Sequence, residues 1–116
     1  MADQIVIQDL EVFYRVGVPE EERAGPQRLL LTVELERDFS AAARADDLAE
    51  TIDYHRLSRR LLNFGQGREW KLIETLAVDL AAMILGEFQP ARVGVEVKKF
   101  VLPEARWVAV RVSRRR

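Results

Sequence analysis

The sequence contains no cysteine and a single histidine, His55, among its 116 residues. The absence of cysteine excludes disulfides, thiol nucleophiles and cysteine-ligated metals. His55 has no second histidine at a ligating spacing, and the chain has neither a glycine-rich phosphate loop nor a Gly-x-Ser-x-Gly elbow. We therefore expect no metal site and no bound cofactor.

Long apolar runs and an excess of one charge are also lacking. No stretch approaches the roughly 20 apolar residues of a membrane-spanning helix, and the first four residues carry no basic segment typical of a signal peptide. A net charge of −1 gives no general attraction to polyanions. We expect a cytoplasmic protein whose partners include neither nucleic acid nor a membrane.

What is present is the composition of one globular domain, expected over residues 1–116, with 48% apolar and 32% charged residues. Alternating or β-branched segments predict strands at about 5–13, 28–39, 93–97 and 108–112, and helical periodicity predicts helices over 54–64 and 70–88. Asp53 is expected to be the N-cap of the first of these helices. A polar loop over 17–26 joins the first two strands. The order ββααββ indicates an α+β fold with an antiparallel four-stranded sheet and two helices on one face.

The outer strands of such a sheet are open edges, which proteins usually pair or protect. The strand over 28–39 is long for an edge. Pairing of edges between subunits into a closed β-barrel would remove the problem. We therefore expect a ring-shaped homo-oligomer.

Glu74 stands out in the second helix. Ile73, Leu76 and Leu80 share one helical face, and Glu74 borders it. A carboxylate there requires a partner, because leaving it unpaired in an apolar setting costs several kcal/mol. The partner is either an arginine of this chain or a ligand that offers two adjacent N–H groups.

Three further side chains are candidates for chemistry. Lys99 continues the alternating valine row over 93–97, so its ammonium is expected to be partly desolvated, as suits a base; the alternative is a strand-end lysine that reaches water. Tyr54, at a helix start, either packs or presents its hydroxyl to a cleft. Glu22 belongs to an acidic run that is either a solvated loop or part of a site.

Four segments, in this order, resemble those of the dihydroneopterin aldolases: residues 5–27, 46–54, 71–77 and 95–99. They include Gly17, the pair Glu22-Arg23 and Gln27. The resemblance implies a tunnelling fold in which subunits close a β-barrel, as a tetramer or as an octamer of two stacked rings. It also implies a pterin substrate and active sites at the subunit interfaces.

The resemblance assigns a role to each candidate. Glu74 would bind the 2-amino and N3–H edge of the pterin, a charge-assisted bidentate contact, and Ile73 would add a backbone contact. Tyr54 would come from the neighbouring subunit and act in proton transfer. Glu22 would contact the side-chain hydroxyls during catalysis, and Lys99 would serve as acid and base.

The implied reaction cleaves 7,8-dihydroneopterin by retro-aldol to 6-hydroxymethyl-7,8-dihydropterin and glycolaldehyde, a step of tetrahydrofolate biosynthesis. The pterin ring accepts the electrons, so the enzyme would need no metal, Schiff base or cofactor. Two positions depart from the family pattern: Phe100 replaces the usual proline, and Val16 replaces an aromatic residue or histidine. Both lie in segments that would surround the reacting side chain.

Two alternatives stay open at this stage. One is dihydroneopterin triphosphate 2′-epimerase, since epimerisation uses the same retro-aldol step followed by re-addition. A triphosphate substrate would need a cluster of basic side chains near the site, and the candidates are Arg15, Arg23 and Arg106. The other is a non-catalytic oligomer that binds pterins.

Overall fold

The computed structural model describes residues 3–116 of the single domain expected over 1–116; Met1 and Ala2 lie outside the described residues. The strands in this part of the chain are β1 (Gln4–Val16), β2 (Gln27–Glu36), β3 (Glu69–Trp70), β4 (Arg92–Lys99) and β5 (Val108–Arg115). The α-helices are α1 (Glu20–Arg23), α2 (Ser40–Ala45), α3 (Tyr54–Asn63) and α4 (Ile73–Phe88). The predicted α+β class is confirmed.

The sheet has the order β3-β1-β2-β4-β5. The pairings β1–β2, β2–β4 and β4–β5 are antiparallel, whereas β3 pairs in parallel with the end of β1. The prediction of four antiparallel strands therefore missed a short fifth strand. Trp70 was expected to begin the second helix, but its backbone pairs with Val16 and its ring is buried, so α4 begins only at Ile73.

The two longer helices lie on one face of the sheet, as predicted, because α3 contacts β1 and α4 contacts β4 and β5. The sheet contributes to the core the buried side chains Val12, Tyr14, Val16, Leu29, Leu31, Val33, Leu35, Val93, Val95 and Val97. Leu57 and Leu61 of α3 and Leu76 and Leu80 of α4 pack against them. Burial of each such leucine contributes about 1.5–3 kcal/mol before entropy is counted.

A bulge divides β1 into two halves. The apolar side chains that pack towards the helices lie at odd positions, Ile5 and Ile7, in the first half and at even positions, from Leu10 and Val12, in the second. The register shifts between Ile7 and Leu10, and Asp9 adopts φ 52° there. The extra residue keeps both halves facing the core, which an unbroken strand cannot do.

The helix-free face of the sheet carries several cross-strand ion pairs. They are Arg28–Glu11 (2.7 Å), Arg92–Glu36 (3.0 Å), Lys98–Asp9 (2.9 Å) and Arg111–Glu96 (2.6 Å). Opposite charges at such positions favour one strand register over its alternatives. No helix within residues 3–116 is both long enough and apolar enough to cross a membrane.

Candidate active site

The turn that follows β1 is held by the guanidinium of a largely buried side chain, Arg23. Arg23, at the end of α1, donates hydrogen bonds to the carbonyl oxygens of Gly17 (2.9 Å) and Val18 (2.7 Å). Its Nε also contacts a carboxylate oxygen of Glu69 in β3, at 3.2 Å. The predicted polar loop over 17–26 is therefore an ordered turn with one helical segment, α1.

A second side chain fixes the main chain of this turn. The Gln27 amide donates to the carbonyl oxygen of Val16 and to that of Glu22, the latter at 3.2 Å. Val16 precedes the turn and Glu22 lies inside it, so one amide spans both ends. Arg23 and Gln27 together hold the backbone on each side of the Glu22 side chain.

Glu22 folds back over Gly17. A Cβ atom at position 17 would fall within the Glu22 carboxylate, so any side chain there would displace it. The Glu22 carboxylate then reaches Lys99 Nζ, with 3.2 Å between oxygen and nitrogen. The absence of a side chain at Gly17 is therefore what allows the Glu22–Lys99 pair.

Lys99 is the last residue of β4 and stands opposite Leu29 of β2. It continues the buried row of Val95 and Val97, with its own side chain 12% exposed and that of Glu22 25% exposed. Lys98 points to the helix-free face, where it pairs with Asp9, as the strand period predicts. The Glu22 carboxylate, a proton acceptor, therefore lies next to the Lys99 ammonium, a proton donor, at a site partly shielded from water.

The start of α4 is tied to the same turn. The Gly17 N–H donates to the carbonyl oxygen of Trp70 at 3.0 Å, and α4 begins three residues later at Ile73. Leu72, at the N-cap position, supplies no side-chain hydrogen bond to the first turn. The backbone N–H groups of this turn are therefore available to a ligand.

The expectation that Glu74 borders the buried face is wrong for the single protomer. Ile73 is buried, but Glu74 is exposed, and it has no hydrogen bond or ion pair among the residues that the structure describes. The reason is that the sheet covers only the arc of α4 that carries Ile73, Leu76 and Leu80. The Glu74 carboxylate thus faces solvent in the first turn of α4.

Tyr54 begins α3, and the predicted N-cap Asp53 accepts a hydrogen bond from the Arg56 N–H at 3.1 Å. The Tyr54 ring is 63% exposed, and no hydrogen bond of its hydroxyl is found over residues 3–116. The protomer therefore brings Glu22 and Lys99 together and ties α4 beside them, but it does not join Tyr54 to them.

The sequence patterns give no structural role to Arg23 or Gln27, although both belong to the segment that resembles the family, and they place Trp70 in a helix instead of a strand. Their contacts are with backbone carbonyls and with a neighbouring strand, and such contacts leave no periodic signal. Arg23 had been considered as a phosphate contact, but its guanidinium is engaged within the turn.

No metal-binding arrangement accompanies this site. The part of the chain that the structure describes contains no group of three or more histidine, aspartate or glutamate side chains placed to hold a metal ion. A cleft of about 420 Å³ lies elsewhere, on the helix-free sheet face between residues such as Gln8, Glu34 and Arg92. The Glu22–Lys99 pair is not part of it.

Comparison with known proteins places these features in a family. The family model described as dihydroneopterin aldolase matches residues 5–113. A dihydroneopterin aldolase of Methylorubrum extorquens is 43% identical over 89 residues, which are 76% of this chain and 68% of the relative.

Two solved structures have the same fold. The Escherichia coli dihydroneopterin aldolase in complex with neopterin has a TM-score of 0.90 and 26% identity, over 97% of this chain and 98% of that one. The Burkholderia thailendensis dihydroneopterin aldolase bound to guanine has a TM-score of 0.82 and 25% identity, over 99% of this chain and 92% of that one. By sequence and by fold, this chain belongs to the dihydroneopterin aldolase family.

Proposed function

We propose that this protein is a carbon–carbon lyase that cleaves 7,8-dihydroneopterin into 6-hydroxymethyl-7,8-dihydropterin and glycolaldehyde, in tetrahydrofolate biosynthesis. The observation that carries the proposal is the Glu22–Lys99 pair, 3.2 Å apart over Gly17, in a chain of the dihydroneopterin aldolase family. A site that only bound pterins would not need a proton acceptor and a proton donor in contact.

The chemistry asks for proton transfers and an electron sink. Removal of the 2′-hydroxyl proton lets the C1′–C2′ bond break, and glycolaldehyde leaves as the C2′ oxygen becomes a carbonyl. The bond's electron pair moves into the C6–N5 imine of the ring to give a C1′–C6 double bond, and N5 takes a proton. C1′ is then protonated while N5 gives its proton back to the base, and the imine re-forms. We assign the acid and base steps to Lys99 and the orientation of the hydroxyls to Glu22. Each positioned acid or base contributes about 10²–10⁴-fold to the rate.

We propose that the pterin ring binds at the start of α4. The exposed Glu74 carboxylate would accept from the 2-amino group and N3–H, and the Ile73 backbone would add one contact. Support comes from the ligands of the two relatives, because guanine and neopterin share an amino group beside a ring N–H. Such a bidentate, charge-assisted contact is among the stronger hydrogen-bonded arrangements.

We further propose a homo-oligomer, tetrameric or octameric, whose active sites lie between subunits, with Tyr54 reaching the site of its neighbour. Tyr54 and Leu48 are 63% and 60% exposed on the protomer. Within residues 3–116 of the protomer, the outer edge of β5 is unpaired, and β1 is paired on its outer side only over Arg15–Val16. These edges would be covered if subunits joined through them.

The charges around the pair favour the unphosphorylated substrate over a triphosphate. The turn carries Glu20, Glu21 and Glu22, and its one arginine, Arg23, is engaged by two carbonyls and Glu69. A triphosphate brought to this turn would meet like charge. Epimerisation at C2′ can still accompany cleavage, since it differs only in re-addition of glycolaldehyde.

The test is an assay of the purified protein with 7,8-dihydroneopterin and, in parallel, its triphosphate. Glycolaldehyde and the C2′ epimer are followed by chromatography. Release of glycolaldehyde from the unphosphorylated substrate is the expected result. Formation of the epimer alone from the triphosphate would transfer the assignment to the epimerase, and no product from either would leave a pterin-binding protein.

A further inference from the structure

Trp70 connects the two halves of the proposed site through its backbone and through its side chain. Its carbonyl oxygen accepts the Gly17 N–H at 3.0 Å, beneath the Glu22 carboxylate. Its indole Nε1–H donates to a carboxylate oxygen of Asp79, in the second turn of α4, at 2.9 Å. One residue therefore contacts both the Glu22 turn and the helix that begins with Ile73.

The indole is fixed in place by its surroundings. It is 5% exposed and stacks on Phe64, with ring centroids 5.8 Å apart and planes inclined by 14°. Tyr14 lies on another side at 5.7 Å, and the Arg68 guanidinium lies 4.9 Å from the ring centroid. A ring held on several sides keeps its N–H directed at Asp79.

The hydrogen bond to Asp79 closes a short loop of chain. Trp70 and Asp79 are nine residues apart, and the first turn of α4, with Ile73 and Glu74, lies between them. Leu72 gives the first turn of α4 no side-chain cap. The Trp70–Asp79 hydrogen bond is a side-chain contact that ties α4 to a residue shortly before its start. A hydrogen bond to a carboxylate is stronger than one between neutral groups, and this one is partly buried.

We infer that Trp70 is a positioning residue, which acts through its bond to Asp79 to hold Ile73 and Glu74 at a fixed place relative to Glu22. The inference rests on the proposed pterin site at the start of α4. Trp70 itself touches no reacting atom. Loosening of its bond should therefore impair binding of the pterin ring more than the chemical step.

A double-mutant cycle tests this inference. Trp70→Phe keeps a ring against Phe64 but removes the N–H, and Asp79→Leu removes the acceptor. Each is expected to raise KM for 7,8-dihydroneopterin roughly tenfold, with kcat changed by less than about twofold. The double variant should be no worse than either single one, because both remove the same bond. Asp79→Asn, which keeps an acceptor oxygen, should restore KM to near the value of the unmodified protein.

Two control variants separate the bond from its neighbours. Trp107→Phe makes the same chemical change at the other tryptophan, which lies over Lys98 on the helix-free side. Arg68→Met removes the 3.4 Å contact between Arg68 and Asp79, and the methionine side chain can still cover the indole face that the guanidinium contacts, so the indole bond is left in place. Both should leave KM unchanged. An unchanged KM in Trp70→Phe, or additive effects in the cycle, would overturn the inference.

Hydrogen exchange of the unliganded protein gives a readout that does not depend on turnover. Trp70→Phe should speed exchange at the Gly17 amide and over residues 76–79, whose amides are the first in α4 to donate to backbone carbonyls, with protection of β2 and β4 unchanged. If the unmodified protein cleaves dihydroneopterin and this exchange is unaltered, the inference alone fails. If the unmodified protein neither binds neopterin nor turns over, the proposed function fails, and the exchange pattern still decides whether Trp70 holds the turn.

Discussion

The Glu22 carboxylate and the Lys99 ammonium lie 3.2 Å apart, although one residue follows the first strand and the other ends the fourth. The order of the strands does not by itself bring these two side chains into contact. Gly17 leaves the space into which Glu22 folds, and Arg23 and Gln27 hold the backbone on either side. The pair therefore depends on the turn after β1 as well as on the pairing of the strands.

Gly17→Ala is expected to abolish most of the activity, and it should also lower the melting temperature, because Gly17 has φ 159° and alanine there strains the backbone. The added Cβ would fall within the Glu22 carboxylate and push it away from Lys99. We expect kcat to fall by at least about 100-fold, the scale of one acid–base contribution. Steady-state kinetics and a thermal melt of the variant provide the measurement.

The control for that variant is Gly25→Ala, because a Cβ at Gly25 meets nothing within 4 Å. Introducing Gly17→Ala into a Glu22→Ala background should cost little further activity, since the displaced group is already gone. If Gly17→Ala lowered kcat by about 100-fold again in the Glu22→Ala background, the effect of Gly17 would not depend on the Glu22 carboxylate.

Lys99→Met should leave pterin binding intact while removing turnover. The methionine side chain fills similar space but offers no proton, so kcat should drop by about 10²–10⁴-fold. Neopterin affinity, measured by calorimetry, reports on binding separately. Glu21→Gln, an exposed neighbour of Glu22, serves as the control for charge changes near the pair. Turnover that survives in Lys99→Met would remove Lys99 from the mechanism.

Glu74→Gln is predicted to weaken neopterin binding by at least about tenfold, since it replaces a charge-assisted bidentate acceptor with a neutral amide. The fold should be unaffected, because Glu74 is exposed and contributes no ion pair within residues 3–116. Glu104→Gln, on the exposed connection between β4 and β5, is the matched control. Equal affinities of the variant and the unmodified protein would rule out Glu74 as the pterin anchor.

Mixing of two inactive variants tests whether Tyr54 acts across an interface. Tyr54→Phe and Lys99→Met subunits would be unfolded, mixed in equal amounts and reassembled. Random mixing places an intact Lys99 beside an intact Tyr54 of the neighbour at roughly a quarter of the interfaces, so that fraction of activity should return. Each variant refolded alone is the control. Mixtures no more active than these controls would place Tyr54 and Lys99 in the same subunit's site or outside it.

Lowering the pH should decrease the free energy of unfolding, in part because the Asp9 carboxylate becomes protonated. The hydrogen bond from Lys98, at 2.9 Å, lowers the pKa of the Asp9 carboxyl below its ordinary value, and Glu96 also faces Lys98 at 3.9 Å. A lowered carboxyl pKa adds stability above the ordinary pKa, and this stability is lost as the pH falls through the folded-state value.

The free energy of unfolding should therefore decrease between about pH 5 and pH 3, and Asp9→Asn should show a smaller decrease over that range. Urea titrations at several pH values give the comparison, with Asp46→Asn, at an exposed position, as the control. An identical pH dependence in Asp9→Asn and the unmodified protein would contradict this account.

Several features of the molecule followed from the sequence alone. Alternation of side chains located β2, β4 and β5, and the same period directed Lys99 towards the helix side and Lys98 away from it. Asp53 was identified as the cap of α3 from its position before Tyr54. These are local rules, since side-chain direction repeats every two residues in a strand and caps depend on adjacent backbone groups.

Other features were decided only by the tertiary structure. Trp70 fits the start of a helix by sequence, but its pairing with Val16 made it the end of β3, and the exposure of Glu74 depended on how far the sheet extends beneath α4. The contact of Glu22 with Lys99 required β1, β2 and β4 to align in register before either side chain could reach the other. The sequence thus determined the elements and the direction of their side chains, because these depend on near neighbours. The assembly of the site depended on contacts between segments far apart in the chain, whose distances no local pattern records.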